Sequence, residues 1–537
     1  MSALWLSPLG PAGILLGGGT LLLLLQRHIS DRLRQRLPIA ITLLGMAAWL
    51  LLRWQPPGTG QWWLWQAPLG LETALGLQWD GWAWLTGWLL FLAALAALVL
   101  PQGKSRAGFT PPAFWILFLL AASLLVITAA TWSALLSAWT LLLFFTGILA
   151  GTPADAAPRA WTHLLLAGLF LLLAPLFNGL GTLDAALSAT TPLNLQAQLL
   201  VSLAVALVVG VYPFHGWLLS SKPRARGLQL TLHLLPALAA MHLLSRFLIP
   251  LLSSFSWIAL GIAGLLGSAI AAWATEDDER VWAYVAINRA TWALLALSLS
   301  RETGAYRSIF PLTALAITLM IWGLIARPQK PWRPYLALFF LMGFPFTPGF
   351  PLTYNLAQLA TSVLGFPGWI LILLAQTLLA AAVLRPGRRP SDEEETPSVS
   401  GGRGALWMLM LATAFGVWWG VSPASLLSAA GLSATGMKVN VFSQIRIGGL
   451  IPAWVTLLLP LLLGWALARW RSRIFAGLET WPQRIADITS LDWLEKLLGG
   501  GAHYISLAFG FAADILDGAG QFGWVLLALI IFWLFTH

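Results

Sequence analysis

Residues 343–354 read GFPFTPGFPLTY, a run of prolines and glycines set inside an apolar stretch that covers about residues 335–363. Proline removes a backbone donor and clashes with the turn before it, so Pro345 and Pro348, between Gly343 and Gly349, interrupt any helix drawn through them. A second interruption lies at residues 212–218, YPFHGWL, where Pro213 falls near the end of the apolar stretch 196–217. Backbone groups freed by such a break are tolerated in lipid only where they are buried in protein or line a hydrated cavity. The two breaks therefore mark the interior of a membrane protein.

Outward from them, apolar spans of about 17 to 25 residues recur along the chain, from 8–25 to 520–536, each long enough to cross the hydrocarbon as a helix. Of the 537 residues, 58% are hydrophobic and 9% charged, which no ordinary soluble domain matches. The expected fold class is an all-α polytopic membrane protein of about 14 to 16 transmembrane helices. Most of the 30 basic residues fall in alternate loops, beginning with Arg27, Arg32, Arg34 and Arg36 and continuing with Lys104, Arg159, Lys222, Arg224, Arg226 and Arg280. Read as cytoplasmic, that side leaves both termini outside, in a cell inner (plasma) membrane. Arg246 reads as a loop cation of the opposite side, and Arg289 stands apart inside the span 281–299.

Residues 387–402, GRRPSDEEETPSVSGG, read as a flexible cytoplasmic loop. The stretch 469–519 mixes charge with Trp470, Trp481 and Trp493 and reads as an amphipathic connector lying on the cytoplasmic surface. The chain then divides into 1–112, N-terminal helices; 113–249 and 255–384, two five-helix segments; 385–404, the loop; 405–468, further helices; 469–519, the connector; and 520–537, a final helix.

There is no cysteine, which removes disulfides and iron–sulfur ligation. The net charge of +10 is scattered through short loops, so lipid head groups are the expected partners and nucleic acid is not. No nucleophile–base pair, metal cluster or nucleotide loop is visible; no independent catalysis, cofactor or metal is expected.

Five stretches carry a more specific signal: WDGWAWLTGWLLFLAAL from Trp79, with Asp80; YPFHGWL, with His215; GLQLTLHLL at 227–235, with His233; DDERVWAYVAINR at 277–289, with Arg280 and Arg289; and GFPFTPGFPLTY. In this order, over residues 79–384, they resemble the antiporter-like membrane subunits shared by respiratory complex I, membrane-bound hydrogenases and multisubunit cation/proton antiporters. The stretch 277–289 is similar to the family's D-x-K-R-x-x-A-Y-S-x-I-x-Q.

The resemblance implies two inverted five-helix repeats, each with one helix broken near mid-bilayer. Pumping members carry a Glu in the fifth helix, a Lys in the broken seventh, a Lys or His in the eighth and a Lys or Glu in the broken twelfth. Local alignment puts Thr140, Val208, His233 and Thr353 at those positions, so the eighth-helix group alone is kept. His242 follows on the same span, and RARGLQ at 224–229 stands where relatives read A-P-T-P-V-S. His233, His242, Thr140 and Thr353 are the candidate proton path. His215 reads as structural, and Arg289 either snorkels or pairs with a helix carbonyl or a partner subunit.

What the resemblance implies is an antiporter-like subunit of a complex I-like, proton-translocating assembly of the NADH-quinone oxidoreductase type, among other membrane subunits. With its Glu and Lys replaced, this copy is expected to conduct weakly or serve as structure. The alternatives are the membrane subunit of an inorganic-carbon uptake system, which WLLSS at 217–221 resembles, and a subunit of a multisubunit cation/proton antiporter.

Overall fold

Asp80, Thr131, Asn194 and Ser254 each precede an apolar run, and each turns a side-chain oxygen onto a backbone N–H of the first turn. The distances are 2.7 Å to Ala83, 3.3 Å to Ala134, 2.8 Å to Ala197 and 3.4 Å to Trp257. In lipid these caps supply bonds that water cannot. The helices that follow appear in a computed structural model describing residues 7–55, 58–66, 72–100, 112–151, 157–179, 187, 193–219, 224–247, 249–299, 305–325, 333–385, 403–432 and 453–474, with Arg484, Ile485, Ile488 and Ile530.

Seventeen α-helices run through these residues. They are α1 (Leu9–Leu25), α2 (Asp31–Leu51), α3 (Gly81–Val99), α4 (Pro112–Thr128), α5 (Trp132–Ala150), α6 (Ala157–Phe177), α7 (Leu195–Val209), α8 (Arg226–Arg246) and α9 (Phe255–Ala274). Then come α10 (Asp278–Leu299), α11 (Ala305–Leu324), α12 (Arg333–Leu341), α13 (Phe350–Leu364), α14 (Phe366–Leu384), α15 (Arg403–Val421), α16 (Pro423–Ala429) and α17 (Ala453–Ile474). Eight are individually long and apolar enough to cross a bilayer. The chain is an all-α polytopic membrane protein.

The segments α4–α8 and α9–α14 share one packing plan. In each, the first helix lies against the second and the last, and the interrupted helix lies against the last. The interrupted helix is α7 with its short 3-10 continuation Gly216–Leu218 in one segment, and the α12/α13 pair in the other. Helix α8 sits where the segments meet, against α3, α4, α7, α10 and α11, and every one of its described residues from Gly227 to Arg246 is buried. Lipid is as apolar as leucine, so hydrophobic burial does not hold such a helix in place. Close approach at Ala237, Ala239 and Ala240 and interhelical polar bonds do that work. The outer helices show lipid the opposite face: Leu165, Leu169, Leu172 and Leu176 of α6 are exposed.

Helix C-termini are closed by arginines from elsewhere in the chain. Arg34 donates to Gln26 O at the end of α1 (2.6 Å), Arg224 to Ala150 O of α5 (2.6 Å) and Arg246 to Ile127 O in the last turn of α4 (2.6 Å). Arg289 donates to Leu341 O of α12 (2.6 Å), Arg385 to Thr275 O just past α9 (2.7 Å) and Arg471 to Ala274 O of α9 (3.1 Å). Arg53 does the same to Ala429 O of α16. A cation is favourable at the negative end of the helix dipole, and the guanidinium fork also satisfies carbonyls left without partners.

Several features depart from the sequence reading. Residues 58–66 and 72–79 pair as antiparallel strands, β1 (Gly58–Gln66) and β2 (Glu72–Trp79), with Gly58 opposite Trp79 and a register shift between Gln61 and Leu64. The pair docks on the α4–α5 turn through Ala130 N to Gly76 O (2.8 Å) and Gly76 N to Thr131 Oγ1 (3.2 Å). Helix α17 runs past Ala468 to Ile474, since Arg469, Arg471 and Arg473 suit a helix C-terminus. Arg246, read as a loop cation, is 8% exposed at the end of α8, because three acceptors, the His242 imidazole and the carbonyls of Ala129 and Ile127, wait for it there. The loop 386–402, the remainder of the connector and the final helix 520–537 lie outside the described residues, Arg484, Ile485, Ile488 and Ile530 apart.

Gly420 of α15 abuts the break between α12 and α13: a Cβ there would stand 2.2 Å from the backbone of Phe346, itself at φ 69°. Gly420→Ala is expected to cost about 1 to 3 kcal/mol through overpacking against backbone, read as a lower thermal midpoint in detergent by tryptophan fluorescence. An unchanged midpoint would mean that the 346–347 backbone yields freely.

Candidate functional site

The first break begins where Gly210, at φ 65°, ends α7 with its N–H on Ala206 O (3.0 Å). A left-handed residue closes a helix at little cost only if it is glycine. Trp217 then folds back so that its indole N–H reaches Leu207 O (2.8 Å), one of the carbonyls released. Pro213 lies in the intervening turn, and His215, fully buried, stacks on Tyr212 (4.7 Å between centroids) and tilts against Tyr284 of α10 (5.7 Å). Its ring nitrogens make no well-formed hydrogen bond, and the Pro213 carbonyl is their polar neighbour. Arg224 seals the far end of the break on Leu218 O (2.8 Å).

The two histidines of α8 differ in kind. His233 bonds Gln229 O through Nδ1 (2.8 Å), so Nδ1 carries the proton. Its Nε2 is buried without a partner, and its ring meets Trp282 of α10 edge-on at 5.1 Å. His242 has both nitrogens engaged: Nε2 accepts from Arg246 Nε (3.1 Å), which leaves Nδ1 to donate to Thr86 Oγ1 (2.9 Å). Thr86 passes its own proton to Trp82 O (3.1 Å), and Trp82 stacks on His242 (5.2 Å) while its indole N–H meets Ser245 Oγ (3.2 Å). Asp80, the cap of α3, also interacts electrostatically with Arg246. His242 is thus committed to locking α3 onto α8, and His233 keeps a free nitrogen.

At the second break α12 stops at Leu341 and α13 starts at Phe350, with Gly343 at φ 69° and Pro345, Pro348 and Gly349 buried between them. Thr353 turns its hydroxyl to Gly349 O (3.1 Å) and Met342 O (3.4 Å). Arg289 reaches the same place from α10. Besides Leu341 O, it donates to Asn288 Oδ1 (2.6 and 3.2 Å) and Gln376 Oε1 of α14 (3.1 Å), and its guanidinium lies 5.3 Å from the Trp292 ring centre. Asn288 in turn donates to Leu265 O (2.8 Å) and Ser268 Oγ (3.0 Å) of α9.

The structure therefore brings Arg289 and Thr353 together at one helix end. His233 is joined to the same α10 through Trp282, about two turns before Arg289. Val208 is buried in α7, whereas Thr140 is exposed on α5 with Ser137, Leu141 and Phe144, its hydroxyl bonded to Leu136 O (2.8 Å). Arg280 is exposed and pairs with Asp277 at 3.7 Å. Sequence reasoning missed Arg224 and Arg246 as interior groups. For Arg246 a signal existed, the His242-x-x-x-Arg246 spacing that places two basic groups on one helix face. No Asp or Glu is among the buried residues described, although Arg224, Arg246, Arg289, His215, His233 and His242 all are.

No family model and no curated protein matches this chain. Among solved structures it is similar to a chain of the Mrp complex from Dietzia sp. DQ12-45-1b, with a TM-score of 0.72 and 15% identity over 98% of this chain and 62% of that one. It is also similar to a chain of respiratory complex I from Thermus thermophilus with bound aureothin, with a TM-score of 0.57 and 21% identity over 78% of this chain and 99% of that one. The chain shares the fold of these two membrane-complex chains. Within this fold the interrupted helices α7 and α12/α13 are present, and the groups facing their breaks are arginine, histidine and threonine. The chain spans 62% of the length of the Dietzia chain.

The two α8 histidines predict opposite costs. His242→Leu strips Arg246 Nε and Thr86 of a buried partner and is expected to lose about 2 to 3 kcal/mol. His233→Leu removes a ring with one unpaired nitrogen and is expected to stay within about 1 kcal/mol of wild type. Thermal midpoints of the purified variants check this, and equal losses would contradict it.

Proposed function

We propose that this chain is an antiporter-like membrane subunit of a complex I-like, ion-translocating oxidoreductase assembly, and that this copy conducts protons weakly or acts as structure. The observation that carries the reading is a buried interior holding arginines and histidines and, among the described residues, no carboxylate. Proton transfer at bilayer depth needs groups that gain and lose a proton near neutral pH and that stabilise one another's charged forms, as an acid–base pair does. A guanidinium keeps its proton throughout that range, and His242 has no free nitrogen. His233 alone offers an unpaired nitrogen on α8, which is why it remains the candidate carrier of any residual flux. Among the described residues no three His, Cys, Asp or Glu side chains gather where they could hold a metal ion.

One observation favours a neighbouring reading, a subunit of a multisubunit cation/proton antiporter. Similarity to the Mrp chain extends over 98% of this chain, against 78% for the complex I chain. In either assembly the exposed face of α5 around Ser137, Thr140, Leu141 and Phe144 suits another membrane subunit, since small polar hydroxyls satisfied within their own helix cost little on burial.

Two measurements decide. In liposomes under an imposed pH gradient, purified chain is expected to carry protons at a rate indistinguishable from empty vesicles, or at a small rate that His233→Leu abolishes. Fast flux insensitive to position 233 would defeat the proposal. Gentle purification with its neighbours separates the assemblies: quinone-oxidoreductase subunits support the first reading, antiporter subunits the second, and a single large soluble zinc protein an inorganic-carbon uptake system.

A further inference from the structure

The carbonyl end of a half-helix inside a membrane protein is a place where transported cations bind, because its unpaired carbonyls and negative dipole end face the break. Helix α12 presents such an end, with Leu341 O and Met342 O turned toward the gap before α13. A cation is already there. Arg289, 2% exposed, has its guanidinium 2.6 Å from Leu341 O, and Thr353 covers Met342 O at 3.4 Å.

All the partners of that guanidinium are neutral. They are Leu341 O, Asn288 Oδ1, Gln376 Oε1 and the Trp292 ring, and the elements packed around it contribute Ser268 and Leu265 O of α9 and Thr353 of α13. None titrates near neutral pH, and Arg289 has no ion pair among the described residues. Its charge is therefore left standing. A second unit cation brought within about 6 Å is disfavoured roughly 100-fold at an effective dielectric of about 20.

We propose that Arg289 is a tethered cation that occupies the cation site at the carbonyl end of α12 and so closes the second five-helix segment to protons and metal cations. The same device, a fixed arginine in a path, excludes protons and cations from other membrane pores. The inference rests on the reading of this copy as a poor conductor and names the residue responsible.

The test uses the full chain in liposomes, with an imposed pH gradient and, separately, radioactive sodium uptake. Arg289→Gln removes the charge and keeps a hydrogen-bonding side chain; it is expected to raise proton or sodium flux at least about tenfold over wild type. Arg289→Lys keeps the charge at neutral pH but can release it, so that variant is expected to be tight at neutral pH and to leak increasingly as pH rises. Should Arg289→Gln fail to fold by size exclusion and fluorescence melting, the pH profile of Arg289→Lys decides alone. A merely structural cap would lower the melting temperature of both variants without moving flux. Folded variants as tight as wild type at every pH overturn the barrier and leave the proposed function standing, whereas a wild-type chain that itself conducts fast overturns the proposed function.

Discussion

The hydrogen bond from an arginine to the last carbonyls of a distant helix is the interaction on which this architecture rests. A helix that stops in water has its final carbonyls solvated, but one that stops inside a bundle does not, and each bare carbonyl there costs several kcal/mol. Only five of the 30 basic residues are lysine. That bias has a physical reason, because a planar fork can serve two or three carbonyls at once and an ammonium at the same depth cannot hold the same geometry. Arg246 on α4 and Arg289 on α12 show the result: each comes from the neighbouring helix of the bundle, so closing the helix end also fixes two helices against one another.

This use of charge sets the chemistry of the interior. Fixed cations bound to neutral acceptors give a rigid, positively biased core, and they leave nothing to hand a proton onward. The first segment expresses this at His242, whose tautomer is dictated by Arg246, and the second at Arg289, whose partners are amides and a carbonyl. His233 and His215 are the exceptions, the first with an unpaired nitrogen against an aromatic edge and the second with ring nitrogens that make no well-formed hydrogen bond.

Much of this was legible in the sequence, for reasons that can be named. The long apolar spans that set the fold class stand in the sequence, and Pro345, Pro348 and Gly349 lie between α12 and α13, where proline interrupts a helix. Tertiary placement was not legible. Thr140 aligns with an interior position and is exposed, and Arg246 ends an apolar span like any loop cation and is buried. Both outcomes depend on which helix stands next to them, and a one-dimensional pattern of charge and hydropathy does not contain that. The strand pair at 58–66 and 72–79 escaped for a related reason: its docking partners, Ala130 and Thr131, lie far along the chain.

The complete burial of α8 also bears on how the chain is made. Of the eight helices long enough to span, it is the least apolar, and it carries Arg226, His233, His242 and Arg246. Lipid alone is a poor solvent for that set, at several kcal/mol for a bare charge near the bilayer centre. The groups that relieve the cost on α3 and α4, namely Thr86, Trp82 and the carbonyl of Ile127, are synthesised earlier. Those on α10 come later. Helix α8 is thus a segment whose insertion is assisted by its predecessors and completed by its successors, so the order of the helices along the chain is itself part of the folding instruction.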